Sequence, residues 1–279
     1  MRAQGRTAPS SGRRGIGRRR TRRPLPQLVV LGGFGVAFFV VPLVGLVGRT
    51  PWSRLPSLLA SDVVVDALRL SVVSSLSASL ISLVLGVPLA WLLARVDFPG
   101  RSFVRGVVTL PLVLPPVVGG AALLFALGRR GLVGEPLNQA TGLLLPFSVW
   151  GVVVATTFVA MPFLVITVEG ALRNLDERFE DAAATLGASR WTVIQRVTLP
   201  MIRPSLVAGL VLTWARAFGE FGATITFAGN LQGRTQTLPL AVFVALESDR
   251  DVAVAISLLM VAISLVVLLA LRDRWWRAV

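Results

Sequence analysis

Apolar residues in this chain run continuously rather than alternating, and the runs are long. Six windows carry almost no charge: Leu28 to Gly48, Leu70 to Ala94, Gly106 to Gly128, Ala140 to Val168, Ser205 to Gly233 and Val252 to Leu271, the fifth broken only by Arg216 and Glu220. Each supplies about 20 apolar residues, enough to cross roughly 30 Å of hydrocarbon as a helix. A spanning barrel strand would alternate in polarity, so the pattern predicts an all-α polytopic membrane protein with about six transmembrane helices. A hydrophobic content of 54% over 279 residues agrees with the bilayer as solvent.

Between the fourth and fifth windows the pattern changes. Leu172, Leu175, Phe179, Ala182, Ala183 and Leu186 recur at intervals of three and four, which predicts one amphipathic helix. Asp176 is the expected N-cap, Glu177 and Glu180 place negative charge in its first turn, and Gly187 can end it in the left-handed conformation. A second short helix is expected from Ser189, with Trp191, Ile194 and Val197 in register, up to Leu199-Pro200; Pro204 is then expected to open the next span. From periodicity alone this element is either a hairpin on the membrane surface or a docking site for another protein.

Charge orients the chain. All 28 basic residues are arginine. Twenty lie before helix 1, between Arg95 and Arg105, between Arg173 and Arg203, or after Leu271, against six in the intervening loops. The positive-inside rule then places both termini and a loop over 170–204 in the cytoplasm, with 27–279 as the membrane domain. Residues 1–26, rich in Arg, Gly, Ser and Pro without an acid, are expected to be disordered and to touch anionic lipid headgroups rather than nucleic acid. The apolar run after them is too long for a signal peptide and is expected to be retained.

The absence of Cys and His removes disulfides, thiolate metal sites and His-dependent triads, so no catalytic residue and no metal site is expected. The absence of Lys removes a phosphate-binding loop of the G-x-x-x-x-G-K-[ST] type. No cofactor is expected on this chain, and any ATP used must be bound by a partner subunit.

The loop resembles the cytoplasmic signature of ABC importer permease subunits: E-A-A, three residues, Gly, nine residues, I-x-L-P. Here it reads Asp181-Ala182-Ala183, Gly187 and Val197-Thr198-Leu199-Pro200, with Asp for Glu and Val for Ile. Residues Trp214 to Asn230, WARAFGEFGATITFAGN, with Leu110 to Gly120 and Gly233 to Pro239, are similar to the molybdate and sulfate branch and closest to its molybdate type. The matches cover most of residues 70–271. The resemblance implies a type I importer permease working as a homodimer, with two cytoplasmic ATPase subunits and an extracytoplasmic substrate-binding protein. It further implies alternating access driven by ATPase docking on Glu180, Asp181, Ala182, Ala183, Gly187, Val197, Leu199 and Pro200. Molybdate is the expected substrate and sulfate or tungstate the nearest alternative. An ATP-independent channel or secondary transporter using Glu220, and a membrane scaffold, are the readings from other classes.

Independently of any family, Arg216 and Glu220 lie four apart inside a span, where ionisable groups are rare. They are either a packing pair or part of a gate. Gly219, Gly222, Thr224, Thr226 and Asn230 complete the candidate pathway, with the small residues equally readable as helix packing. Pro115, Pro116, Gly119 and Gly120 form a candidate hinge in the third span. Serines 71, 74, 75, 77, 79 and 82 read as packing surface, and Trp52, Trp275 and Trp276 as interface anchors.

Overall fold

The computed structural model describes residues 25–275 and side chains as far as Ala270. Most of the expected disordered arm, residues 1–24, therefore lies outside the described residues, as do Trp276 and the side chain of Trp275. Every regular element among the described residues is helical: α1 (Pro26–Gly48), α2 (Leu55–Leu59), α3 (Asp62–Arg95), α4 (Arg101–Val113), α5 (Pro116–Leu127), α6 (Gly134–Thr141), α7 (Val149–Asn174), α8 (Arg178–Thr185), α9 (Arg190–Phe218), α10 (Gly222–Phe227), α11 (Leu238–Ser248) and α12 (Arg250–Trp275). Five of them, α1, α3, α7, α9 and α12, are long and apolar enough to cross a bilayer alone. The N-terminal unit ends at Gly45 and holds most of α1, whose 23 residues measure about 35 Å. The second unit begins at Leu46.

Within this second unit α7 is the most enclosed span, with 67% of its apolar window buried. Near one end, Leu164, Val165, Val168 and Leu172 pack against Ala90 and Leu93 of α3 and Ile202 of α9. Ala78, Ala160 and Ala217, one each from α3, α7 and α9, meet in the middle and let the three helices approach closely. Near the other end of α3, Val64 and Ala67 join Phe218, Leu238, Ala241 and Ile256. Ser148 opens α7 by accepting a hydrogen bond from the Gly151 N–H at 3.1 Å.

The third window is two helices. Leu114 and Pro115 adopt extended conformations between α4 and α5. This break leaves little polar backbone bare: the Leu114 N–H still donates to Leu110 O, Pro115 O accepts from Val118 and Gly119, and prolines 115 and 116 have no N–H to lose. The fourth window begins too early, because α6 and a turn occupy residues 140–148. Helix α11, only 11 residues, has no window of its own in the sequence reading. It is anchored by a buried bond from the Leu238 N–H to Ser71 Oγ at 2.7 Å. Ser71→Ala is expected to cost about 1–3 kcal/mol by leaving that N–H unpaired, checked by thermal unfolding in detergent beside the exposed control Ser57→Ala, which should cost little.

The polar segment departs from expectation at four points. The amphipathic repeat from Leu172 to Leu186 is not one helix: Leu172 belongs to α7, Leu175 is extended, and a new helix starts at Arg178. Glu177 rather than Asp176 is its N-cap residue, although Asp176 Oδ1 still accepts the Arg178 N–H at 3.0 Å. The helix starting after Ser189 is not short. It continues through Pro200 and Pro204 to Phe218, so Pro204 opens no new span. A π-helical segment at Ile194–Thr198 shifts the hydrogen-bond pattern just before Pro200, where an N–H is missing.

Candidate functional site

Two groups of residues carry the candidate chemistry. The first lies around α8, between the ends of α7 and α9. Asp181 and Ala182 are exposed, Ala183 is half-buried, and Gly187 is exposed with φ +84°. Leu186 (89% exposed), Trp191 (65%) and Phe179 (55%) stand uncovered close by. Exposed apolar side chains rimmed by polar ones mark a surface that meets a protein or a membrane. Of the signature's second half, Val197 and Leu199 are half-buried and Pro200 is exposed along α9. Glu180 departs from its neighbours: it is turned inward, with Oε1 accepting from Thr198 Oγ1 at 2.6 Å and Oε2 lying 3.2 Å from Arg95 Nη2.

Beside this segment, Arg101 and Arg105 of α4 serve carbonyls that the end of α3 leaves unpaired. Arg101 Nε donates to Leu93 O at 2.8 Å and its Nη2 to Ala94 O at 3.2 Å; Arg105 Nη2 also reaches Leu93 O, at 3.3 Å. Arg105 Nε donates at 2.8 Å to Glu169, a buried carboxylate of α7 that also has Arg173 at 3.7 Å. Sequence reasoning missed Arg95, Arg105, Glu169 and Thr198. The available signal was the spacing of three between Glu177 and Glu180, which puts both carboxylates on one helix face.

A second group surrounds the break after α9. Gly219 ends that helix and Glu220, only 1% exposed, follows it. One carboxylate oxygen, Oε1, accepts the Ala223 N–H at 2.7 Å, satisfying the first turn of α10; the other is paired with Arg216 Nη1. The expected pair therefore exists and also caps a helix inside the span. Arg216 keeps 28% of its side chain exposed. Thr226 is occupied locally, donating to Gly222 O at 2.8 Å, whereas Thr224 Oγ1 and Asn230 Oδ1 are buried without a partner.

Helix α5 lies directly against this break. A Cβ on Gly222 would meet Pro116 Cβ at 2.8 Å, and one on Gly120 would meet Ala223 O at 2.7 Å. Gly119 instead faces the ring of Phe158, 3.2 Å from a Cβ built there. The candidate hinge and the candidate pathway, read separately from the sequence, are thus one contact. Beyond α10, Thr235 Oγ1 accepts the Leu231 N–H at 2.9 Å inside a loop whose Thr235, Gln236 and Thr237 are buried. Phe147, in the left-handed region at φ 56°, lies against Gly229 and was also unmarked in the sequence.

A multi-pass helical unit with two interrupted spans and a polar segment exposed between α7 and α9 is the architecture of a transporter's membrane subunit. The chain belongs to the family of binding-protein-dependent transport system inner membrane components, whose profile matches residues 59–278. It is 46% identical over 251 residues to the molybdenum transport system permease protein ModB of Mycobacterium tuberculosis, covering 90% of this chain and 95% of that one. It is 35% identical over 270 residues to the sulfate transport system permease protein CysT of Escherichia coli, covering 93% and 97%. Its fold matches a chain of the crystal structure of a bacterial alginate ABC transporter in complex with alginate pentasaccharide-bound periplasmic protein, at TM-score 0.72 and 20% identity over 88% of this chain and 90% of that one. The fold is that of a type I importer permease, and the protein is a multi-pass membrane protein.

Proposed function

We propose that the chain is the permease subunit of an ATP-driven molybdate importer. The observation that carries the substrate is the 46% identity to a molybdenum permease over nearly its whole length, against 35% for the sulfate permease. Two copies enclose the pathway, with both termini and the α8 segment in the cytoplasm. A dimer of ATPase subunits binds and hydrolyses ATP, and an extracytoplasmic binding protein delivers the anion.

The exposed face of α8 supports the docking reading: Asp181, Ala182 and Ala184 are available, small enough for close approach, and followed by a turn that only glycine adopts without strain. Closure of the ATPases then moves α8, and through it the spans. For the anion, Arg216 is the part-exposed cation of this group and its charge is balanced by Glu220, so a dianion meets a donor without a concentrated positive well and is stabilised only briefly as it passes. Contact between Pro116, Gly120, Gly222 and Ala223 makes the break at Leu114–Pro115 the hinge nearest that passage.

Two results test this reading. Cells without the gene should lose molybdenum content at low external molybdate and regain it with the gene on a plasmid, while sulfate content stays unchanged. Ala182→Trp, on the exposed docking face, should still insert in the membrane yet lower recovery of the ATPase in copurification by about tenfold or more. Undiminished recovery contradicts docking on α8.

A further inference from the structure

Arg95 ends α3, yet its side chain is only 12% exposed. Its guanidinium lies between two carboxylates of the docking segment: Nη1 donates to Glu177, and Nη2 stands 3.2 Å from Glu180 Oε2. Glu177 is largely in solvent, so that arm is weak; Glu180 is 22% exposed, so the second is shielded. From the other side Thr198, buried in the π-helical segment of α9, donates its hydroxyl to Glu180 Oε1 at 2.6 Å. One carboxylate of α8 thus holds the end of α3 and the start of α9 together. Arg95 Nε and Nη2 are buried and make no hydrogen bond, so the ionic contact with Glu180 is what offsets the burial of that end of the guanidinium.

We propose that Arg95 and Glu180 form a strut that transmits movement of α8 to α3 and α9, setting how tightly ATP hydrolysis is coupled to transport. This rests on the proposed docking of an ATPase on α8. That helix has eight residues, bounded by the extended Leu175 on one side and the left-handed Gly187 on the other, so backbone continuity alone transmits a push poorly. The outer face, with Asp181 and Ala182, is exposed, while Glu180 faces the bundle. A force applied to the outer face is therefore delivered through Glu180. Coulomb attraction falls only as the inverse of distance, so the pair keeps hold through a small displacement that would break a neutral hydrogen bond.

The test uses the complete transporter in liposomes, with molybdate uptake and ATP hydrolysis measured on the same vesicles and ATPase recovery measured by copurification. Arg95→Gln is expected to retain the ATPase and hydrolyse ATP while molybdate taken up per ATP falls by about tenfold; Arg95→Lys, which keeps the charge but not the two-armed geometry, should retain part of the normal ratio. A merely structural role would lower recovery and hydrolysis together and leave the ratio unchanged. A normal ratio in Arg95→Gln, or loss of ATPase recovery in that variant, overturns the strut. Absence of ATP-dependent uptake in the unsubstituted complex overturns the permease reading and the strut with it.

Discussion

Arg216→Leu is expected to abolish uptake and to cost about 3–5 kcal/mol of stability, because it strands a carboxylate that is almost fully buried. The two partners are not equivalent. Glu220 has 1% of its side chain exposed and holds the Ala223 N–H as well as Arg216. Arg216, at 28%, retains an exposed edge. Removing Glu220 leaves an arginine that can turn toward a more polar surrounding, and Glu220→Gln keeps an acceptor for Ala223, so it should be the milder loss. Exchanging the two charges should restore only part of the function, since arginine at 220 cannot accept the Ala223 N–H. Uptake normalised to inserted protein, with thermal unfolding in detergent, measures these differences. Equal stability of Arg216→Leu and the unsubstituted chain would contradict a structural pair.

Gly120→Val should abolish uptake while the ATPase still copurifies. The added Cβ would come within 2.7 Å of Ala223 O and 2.9 Å of Ala223 Cα, and backbone cannot rotate aside as a side chain can. Overpacking of this kind costs about 1–3 kcal/mol, and here it also separates α5 from α10 where the hinge meets the pathway. Gly119→Ala provides the contrast one residue away, because its new methyl meets the Phe158 ring, which can yield. It should transport nearly normally. Normal uptake by Gly120→Val would mean that contact between α5 and α10 is not needed for transport.

Much of this architecture was legible because the bilayer imposes it. A span needs an unbroken apolar run: the window beginning at Val252 lies within α12, and the window ending in Val168 coincides with α7 from Val149 onward. The break at Leu114–Pro115 was legible from paired prolines, and the turn at Gly187 from one glycine after an acidic amphipathic stretch. Prolines 200 and 204 misled, since the π-helical segment that accommodates the first has no sequence period of its own. Helix α11 was missed because it is short and follows the buried polar run Thr235–Thr237. For the site, periodicity gives the face on which a residue lies but not what covers that face. Glu180 and Asp181 are adjacent acids, yet one meets Arg95, 85 positions earlier in the chain, and the other is exposed. Arg105 and Glu169 pair across 64 positions.

The most direct measurement of the central claim is molybdate uptake into liposomes that hold this chain, its ATPase and its binding protein, with and without ATP and with excess sulfate. Uptake that requires ATP and persists under sulfate is the expected result. Uptake suppressed by sulfate would make the chain a sulfate permease, and uptake independent of ATP would contradict the coupling of α8 to a motor.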